Sequence, residues 1–206
     1  MINGKRDGKN MNNYVYEVGE NLYINVTNKC SNKCSFCIRN GHDGMNGKNL
    51  WLDKEPTAQE IIDSLPEDLT KYKEVVFCGF GEPTYKLDVV CQVGKYVKSK
   101  GQRTRINTNG QANLIHGGDI TDQLVDAIDV INVSMNASNA GEYQRICNSS
   151  FGEVAFVAML DFAYKCQKRG INVVMSVVDV IGEEEIAACQ QLCDNKGLTL
   201  RVRKFE

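Results

Sequence analysis

Short apolar runs alternate with longer amphipathic segments along most of the chain. Alternation of apolar and polar residues predicts a strand at 22–27, and the nearly unbroken apolar run at 74–78 is typical of a strand buried on both faces. Apolar residues spaced i, i+3, i+4 and i+7 predict a helix over 152–169. The predicted strands are 22–27, 74–78, 104–107, 130–134, 172–178 and 198–203. The predicted helices are 57–65, 86–100, 120–127, 152–169 and 183–196.

This order of elements predicts the fold class. Strands that alternate with helices form a parallel sheet with helical crossovers. Six such units are too few for a complete eight-stranded barrel, so we expect an α/β fold, an open partial (β/α)6 TIM-like barrel. The barrel is expected to form a single domain over 15–206. Residues 1–14 are polar and show no periodicity, which predicts a flexible N-terminal tail.

Composition and charge narrow the class of protein. A charged fraction of 24% and a net charge of -2 are ordinary for a globular protein. The chain has no dense Lys/Arg run of the kind that marks a nucleic-acid partner, which leaves a local basic patch as the alternative. The chain shows neither a membrane-spanning apolar run nor a signal peptide, so we expect no membrane partner and a cytoplasmic location. Nine cysteines, an odd number, favour metal or redox chemistry over a disulfide scaffold.

Three of these cysteines are grouped directly after the first predicted strand. Cys30, Cys34 and Cys37 have the spacing Cys-x3-Cys-x2-Cys, which lets three thiolates converge from one loop. Iron-sulfur clusters are held by thiolates, and three without a local fourth would leave one iron of a [4Fe-4S] cluster open to an external ligand. His42 lies close in the sequence, so a Cys3His zinc site is the alternative. The compact spacing favours the cluster.

Polar or glycine-rich turns follow the later predicted strands, at 79–83, 107–110, 134–136 and 179. In β/α barrels the active site lies at the carboxyl ends of the strands, where such loops converge. Gly, Asn and Pro are also common in ordinary turns, so each of these segments alone is equally consistent with a plain strand-to-helix connection. Their regular recurrence at successive strand ends favours a binding site.

The cysteine triplet and these turns together resemble the radical S-adenosylmethionine (SAM) superfamily. From about residue 16 to its end the chain is similar to the small TatD-associated radical SAM proteins. The matching segments are NLYINVTNKCSNKCSFCIRN, NLWLDKEPT, VVFCGFGEPT and NTNG. The turn at 79–83 departs from the family's Gly-Gly-Glu-Pro motif because Phe80 replaces a glycine. A bulky residue there would be strained if the position required a positive φ.

The resemblance implies two cofactors, a [4Fe-4S] cluster and SAM, and it implies which residues hold them. Cys30, Cys34 and Cys37 would be the cluster ligands and, through the cluster, the catalytic residues. Phe36 would offer the adenine an apolar face. The residues expected to contact SAM at the strand ends are Gly79, Gly81, Glu82, Pro83, Asn107, Thr108, Asn109, Ser134, Asn136 and, on position alone, Asp179. Asn107 and Asn136 stand where some relatives have Asp and Lys.

The reaction implied by the resemblance is reductive cleavage of SAM to methionine and a 5'-deoxyadenosyl radical, which abstracts a hydrogen from a substrate. We expect a protein or peptide substrate, with a nucleic acid or a small molecule as alternatives. A low-potential electron donor of the flavodoxin or ferredoxin type is the expected partner. The alternative from a different class is a zinc- or cluster-stabilised binding module without turnover.

Overall fold

The computed structural model describes residues 12–45 and 47–205, and its centre is one seven-stranded sheet. The strands cross the sheet in chain order; the first pair is antiparallel and all later pairs are parallel. The strands are β1 Val15–Val18, β2 Asn21–Ile24, β3 Val75–Phe77, β4 Thr104–Thr108, β5 Val130–Ser134, β6 Asn172–Val178 and β7 Thr199–Arg203. A separate small ladder pairs Gly44–Met45 with Lys48–Asn49.

Helices fill the connections between the parallel strands, as crossovers of this kind require. The α-helices are α1 Ala58–Ser64, α2 Leu87–Ser99, α3 Ala112–His116, α4 Thr121–Leu124, α5 Ala140–Cys147, α6 Val154–Lys168 and α7 Glu183–Lys196. Single 3-10 turns cover Ile38–Asn40, Pro83–Lys86 and Asp179–Ile181. The predicted α/β class, a single domain built as a partial barrel with six parallel strands, is confirmed.

The two faces of the sheet differ in chemistry. Successive residues of a strand point to opposite faces, so alternate positions form two separate surfaces. The outer face packs against the helices and is apolar; Ile24, Phe77, Ile106, Ile131 and Met175 are all fully buried there. The opposite face, which we call the inner face, carries mainly polar side chains on its later strands. Its members there include Arg105, Asn107, Asn132, Ser134, Ser176, Arg201 and Arg203.

Local sequence signals set several of the helix ends. The Thr57 hydroxyl accepts from the Glu60 backbone N–H, and the Glu60 carboxylate accepts from the Thr57 N–H, which is the capping box expected from the sequence. Helix α7 begins with three glutamates and ends at Gly197 in the left-handed conformation. The predicted helix at 120–127 is shorter than expected and covers only Thr121–Leu124.

Among the labelled strands and helices of the described residues, β1, α3 and α5 were not predicted, and neither was the small ladder at 44–49. Strand β1 pairs with β2 across a two-residue turn containing Gly19, whose φ is +56°. Such a turn between two alternating runs is a hairpin signal. Helix α5 is capped at its amino end by Asn139, whose side chain accepts from the Glu142 backbone N–H. An Asn followed three residues later by Glu is a helix-start signal that could have revealed this element.

The predicted N-terminal tail at 1–14 falls mostly outside the described residues. Its last three residues are not a free tail, so that prediction is wrong for them. The Asn12 side chain accepts from the Asp53 backbone N–H at 2.8 Å, Asn13 donates to the Asn49 carbonyl at 2.7 Å, and the Tyr14 carbonyl accepts from the Asn25 N–H. In the part of the chain that the structure describes, no helix combines the length and apolar character needed to cross a membrane.

Candidate functional site

The cysteine loop, residues 25–40, leaves the carboxyl end of β2. Cys30, Cys34 and Cys37 are each only partly buried. The backbone N–H groups on either side of Cys34 donate to the end of α5, from Lys33 to the Cys147 carbonyl at 2.9 Å and from Ser35 to the Ile146 carbonyl at 3.0 Å. The unpredicted helix α5 therefore fixes the middle of the cysteine loop.

The thiols of this loop lie in surroundings that favour the protonated form. Burial and the nearby Glu82 carboxylate raise the pKa of Cys30 to about 12. A hydrogen bond with the Cys147 thiol, followed by burial, raises the pKa of Cys34. Because the thiolate is the metal-binding form, a bound cation has to displace these protons. Cluster loading is therefore expected to release protons and to weaken as the pH falls.

The turn at 79–83 packs directly against the backbone of the cysteine loop. A Cβ atom at Gly79 would lie 2.0 Å from Asn25 Oδ1, and one at Gly81 would lie 2.3 Å from the Thr27 carbonyl oxygen. The Glu82 backbone N–H donates to the Lys29 carbonyl at 2.7 Å. Gly81 is thus required by close approach of two backbone segments, whereas a side chain at Gly79 would have to displace the Asn25 amide.

Phe80, the residue that departs from the family motif, fits without backbone strain. The non-glycine residues with positive φ in the described part of the chain are Asn136 and Asn148, so Phe80 is not one of them. Its buried ring meets the Trp51 ring edge-to-face with 5.0 Å between centroids. Its carbonyl accepts from the Arg39 guanidinium at 3.1 Å. The side chain therefore joins the loop at 49–52 to the turn.

Glu82 links the turn at 79–83 to the turn that follows β4. Its carboxylate is 3% exposed and accepts hydrogen bonds from the Thr84 N–H and hydroxyl at 3.1 and 2.8 Å. It also accepts from the Thr108 hydroxyl at 2.7 Å and the Asn109 N–H at 2.6 Å. Burial raises the pKa of this carboxyl above its usual range, and the four donors act in the opposite direction. Glu82 thus serves as an internal connector.

A buried polar network, which sequence reasoning missed, supports the cysteine loop from behind. Gln111 donates to Asn32 Oδ1 and to the Tyr143 hydroxyl, both at 2.8 Å, and Asn32 Nδ2 donates to the same hydroxyl at 3.1 Å. Asn109 Nδ2 donates to the Ser31 hydroxyl at 2.8 Å. All five residues are buried. The network joins the cysteine loop, the turn after β4 and α5, so their relative positions depend on it.

The structure places the expected SAM-contact residues in two groups. Thr108 and Asn109 use their side chains inside the protein, on Glu82 and Ser31, so these side chains are not free to bind a cofactor. Asn107 faces the inner side of the sheet, where its Oδ1 accepts from Arg105 at 2.8 Å. Ser134 is half-buried at the carboxyl end of β5. These contacts with SAM stay predictions.

Asn136 and Asp179 differ in whether their side-chain oxygens already accept hydrogen bonds within the protein. Asn136 is buried in the left-handed conformation, its Nδ2 lies 3.8 Å from the Cys147 sulfur, and its Oδ1 lacks a hydrogen-bond partner among the described residues. An orphaned buried amide oxygen next to the cysteine loop is an available acceptor for a ligand. Asp179 is exposed and accepts from the Phe205 N–H at 2.9 Å, which ties down the chain after β7.

The described residues contain no preformed site for the alternative ligand, zinc. Within 12–45 and 47–205, no group of three or more His, Cys, Asp or Glu side chains is arranged to hold a single metal ion. His42 is exposed. Phe36 is half-buried and packs on the main core beside the loop. A donor set of three partly exposed thiols on one loop fits an iron-sulfur cluster, whose irons are spread over several sulfur ligands.

A parallel partial barrel with this cysteine loop at the carboxyl end of its first parallel strand defines a class of cofactor-dependent enzyme. The model of the Radical SAM superfamily matches residues 24–193, and the chain belongs to that superfamily. The protein is therefore an enzyme, and the cofactors of its family are a [4Fe-4S] cluster and SAM. The TatD-associated subgroup remains a prediction from the sequence.

Two curated proteins are similar in sequence to most of this chain. The chain is 28% identical over 194 residues to a probable GTP 3',8-cyclase of Methanocaldococcus jannaschii, covering 89% of this chain and 58% of that protein. It is 28% identical over 172 residues to a putative glycyl-radical enzyme activating enzyme of the same organism, covering 80% and 66%. The chain thus spans less than two thirds of the length of either relative.

A solved structure shares the fold. Streptococcus suis SuiB bound to S-adenosylmethionine superposes with a TM-score of 0.64 at 16% identity, covering 86% of this chain and 37% of that chain. At this identity the similarity shows the fold alone.

Proposed function

We propose that this protein cleaves SAM reductively and uses the resulting radical to abstract a hydrogen atom from a substrate. The observation that carries the proposal is the position of three partly exposed thiols on a loop held against the glycine turn at 79–81. A [4Fe-4S] cluster held by these thiols would, when reduced, supply the one electron that cleaves SAM to methionine and a 5'-deoxyadenosyl radical. The cofactors supply that chemistry, and the chain supplies binding and orientation.

In this proposal each part of the site has a task. Cys30, Cys34 and Cys37 hold the cluster, and Phe36 gives the adenine an apolar surface. Backbone groups of the turn at 79–83 bind the methionine end of SAM, since Glu82 itself is committed to Thr108 and Asn109. A low-potential flavodoxin or ferredoxin delivers the electron. A cytoplasmic location suits this chemistry because thiols stay reduced there.

We propose a protein or peptide as the substrate. The putative glycyl-radical enzyme activating enzyme supports this choice, since by its name that relative acts on another enzyme. The second candidate is a small nucleotide, which is favoured by the probable GTP 3',8-cyclase and by the arginines on the inner face of the sheet. Either substrate would reach the cysteine loop from the carboxyl ends of the strands.

The test is release of 5'-deoxyadenosine by the protein reconstituted anaerobically with iron and sulfide and then given dithionite and SAM. The wild type is expected to release it, and Cys34→Ala is expected to lose that activity. Cys91→Ala is the matched control, because that half-buried cysteine lies on α2 and donates to the Gln123 carbonyl. Equal release by wild type and Cys34→Ala, or none by either, would reject the proposed reaction.

A further inference from the structure

Two arginines of β7, Arg201 and Arg203, place positive charge on the inner face of the sheet. In the β6–β7 register Ser176 pairs with Arg201, and Val178 pairs with Arg203. Ser176 accepts from Asn132 of β5 at 3.2 Å, so this row of side chains lies on the inner face. Both arginines therefore point to the same side of the sheet as Asn107 and Ser134, where SAM contacts are expected.

Arg203 is unusual because no residue in the described part of the chain balances its charge. Its Nε atom is buried and has no hydrogen-bond partner, and neither Arg203 nor Arg201 forms an ion pair with any residue in 12–45 or 47–205. Burial, together with the nearby Arg201 and Arg105, lowers the pKa of Arg203. A half-buried guanidinium whose Nε is buried without an acceptor, and which has no counterion, is costly, and proteins normally supply a partner.

Arg105 provides the contrast on the same face. Its Nε donates to Glu74 at 2.9 Å, and its other guanidinium nitrogen donates to Asn107 at 2.8 Å. The charge of Arg105 is thus balanced within the protein. Cys78 and Tyr23, from the strands across the inner face, are close enough to influence the pKa of Arg203, but neither is a carboxylate. The protein therefore supplies no anion for Arg203 within the described residues.

We infer that Arg203, with Arg201 beside it, binds an oxyanion of the substrate, a carboxylate or a phosphate, on the inner face of the sheet. This rests on the proposed function, because it assigns one chemical feature to the substrate of that reaction. A guanidinium presents two parallel N–H donors that match a carboxylate or phosphate, which would satisfy the buried Nε. An acidic side chain of a peptide and the phosphates of a nucleotide both carry such a group.

The test measures anion binding directly, on the cluster-loaded chain with SAM present. Inorganic pyrophosphate and glutarate are titrated separately by isothermal calorimetry at low ionic strength, because surface charge effects are screened by salt. We expect one anion to bind saturably and Arg203→Gln to weaken it about tenfold or more, as expected for loss of a charged hydrogen bond. Arg203→Lys should recover part of the affinity as a point charge.

Arg103→Gln is the matched control, since it removes an exposed arginine just before the amino end of β4. Preference for pyrophosphate would indicate a phosphorylated substrate, and preference for glutarate a carboxylate-bearing one. The inference is overturned if neither anion binds, or if Arg203→Gln and Arg103→Gln weaken binding equally. It is also overturned if Arg203→Gln instead weakens SAM binding about tenfold. Release of 5'-deoxyadenosine without substrate, measured in the same variants, tests the proposed function separately.

Discussion

Replacing Glu82 by Gln tests whether this buried carboxylate joins the two turns that form the site. The amide has nearly the same shape but exchanges one acceptor oxygen for an NH2 group. With the NH2 at the Oε2 position it would meet the Asn109 N–H, and at the Oε1 position it would meet the Thr84 N–H. Backbone N–H groups cannot become acceptors, so both orientations bring two donors together.

The expected loss of stability in Glu82→Gln follows from these contacts. A hydrogen bond to a charged group is worth roughly 1.5–3 kcal/mol, and a buried donor left unpaired costs a similar amount. Removing a buried charge offsets part of this loss, because burial disfavours the ionised Glu82. We expect Glu82→Gln to lower the free energy of unfolding by about 2 kcal/mol. The corresponding fall in Tm is about 4–8 °C for a domain of this size.

Urea unfolding of the metal-free, reduced chain, followed by circular dichroism, measures this change. The midpoint should fall while the slope m stays constant, since the surface exposed on unfolding is unchanged. Glu67→Gln is the matched control because Glu67 is exposed, and it should stay within about 0.5 kcal/mol of the wild type. If Glu82→Gln unfolded at the same midpoint as Glu67→Gln, the connecting role of this carboxylate would be refuted.

Three further changes test other parts of the structure. Gly81→Ala should destabilise the chain by about 1–3 kcal/mol in urea, because its Cβ would press on the Thr27 carbonyl, whereas Gly118→Ala has open space. Gln111→Ala should speed hydrogen exchange of the cysteine loop, measured by mass spectrometry, because it leaves buried polar groups unpaired. Asp129→Asn should destabilise the chain at neutral pH but not at low pH, as followed by unfolding across the pH range.

The sign of the last prediction follows from the partners of Asp129. Burial alone would raise its pKa, but hydrogen bonds from Lys98 and from the Thr104 N–H and hydroxyl outweigh it and lower the pKa below the ordinary value. Stability from this group is therefore present above the unfolded-state pKa and is lost as the pH falls through the folded-state value. A destabilisation that stayed constant down to pH about 2 would contradict this account.

The predictions for Gly81→Ala and Gln111→Ala can each be contradicted by one clear result. Equal unfolding midpoints for Gly81→Ala and Gly118→Ala would show that the cysteine loop yields to the added methyl group. Unchanged exchange of the cysteine loop in Gln111→Ala, with Gln59→Ala on the exposed surface of α1 as the control, would show that the buried network does not position the loop.

The elements that could be predicted from the sequence are those whose signals are local. The run at 74–78 and the spacing at 152–169 each contain a complete pattern, and both elements are present. The capping box at Thr57 and Glu60 lies within four residues and is present as expected. Helix α5 has only eight residues and contains Gly141, so its periodicity is too short to detect without its N-cap.

The candidate site likewise has features that could be predicted from the sequence and features that could not. Recurrence of polar turns at strand ends located Cys30, Gly81 and Asn107 on one edge of the sheet, because parallel strands place those ends together. The partners of those residues could not be read from the sequence. Glu82 bonds to Asn109, 27 positions away, and Gln111 bonds to Asn32, 79 positions away. Contacts at such separations depend on how the strands and helices pack, which no local pattern records.

The most direct test of the central claim is the electron paramagnetic resonance spectrum of the reduced protein with and without SAM. After anaerobic reconstitution the wild type should hold about four irons per chain, as expected for one [4Fe-4S] cluster. Its reduced spectrum should change when SAM is added, because three cysteines leave one iron open. Cys30→Ala, Cys34→Ala and Cys37→Ala should lose the signal. A wild-type spectrum unaffected by SAM, or a signal retained in all three variants, would contradict the account.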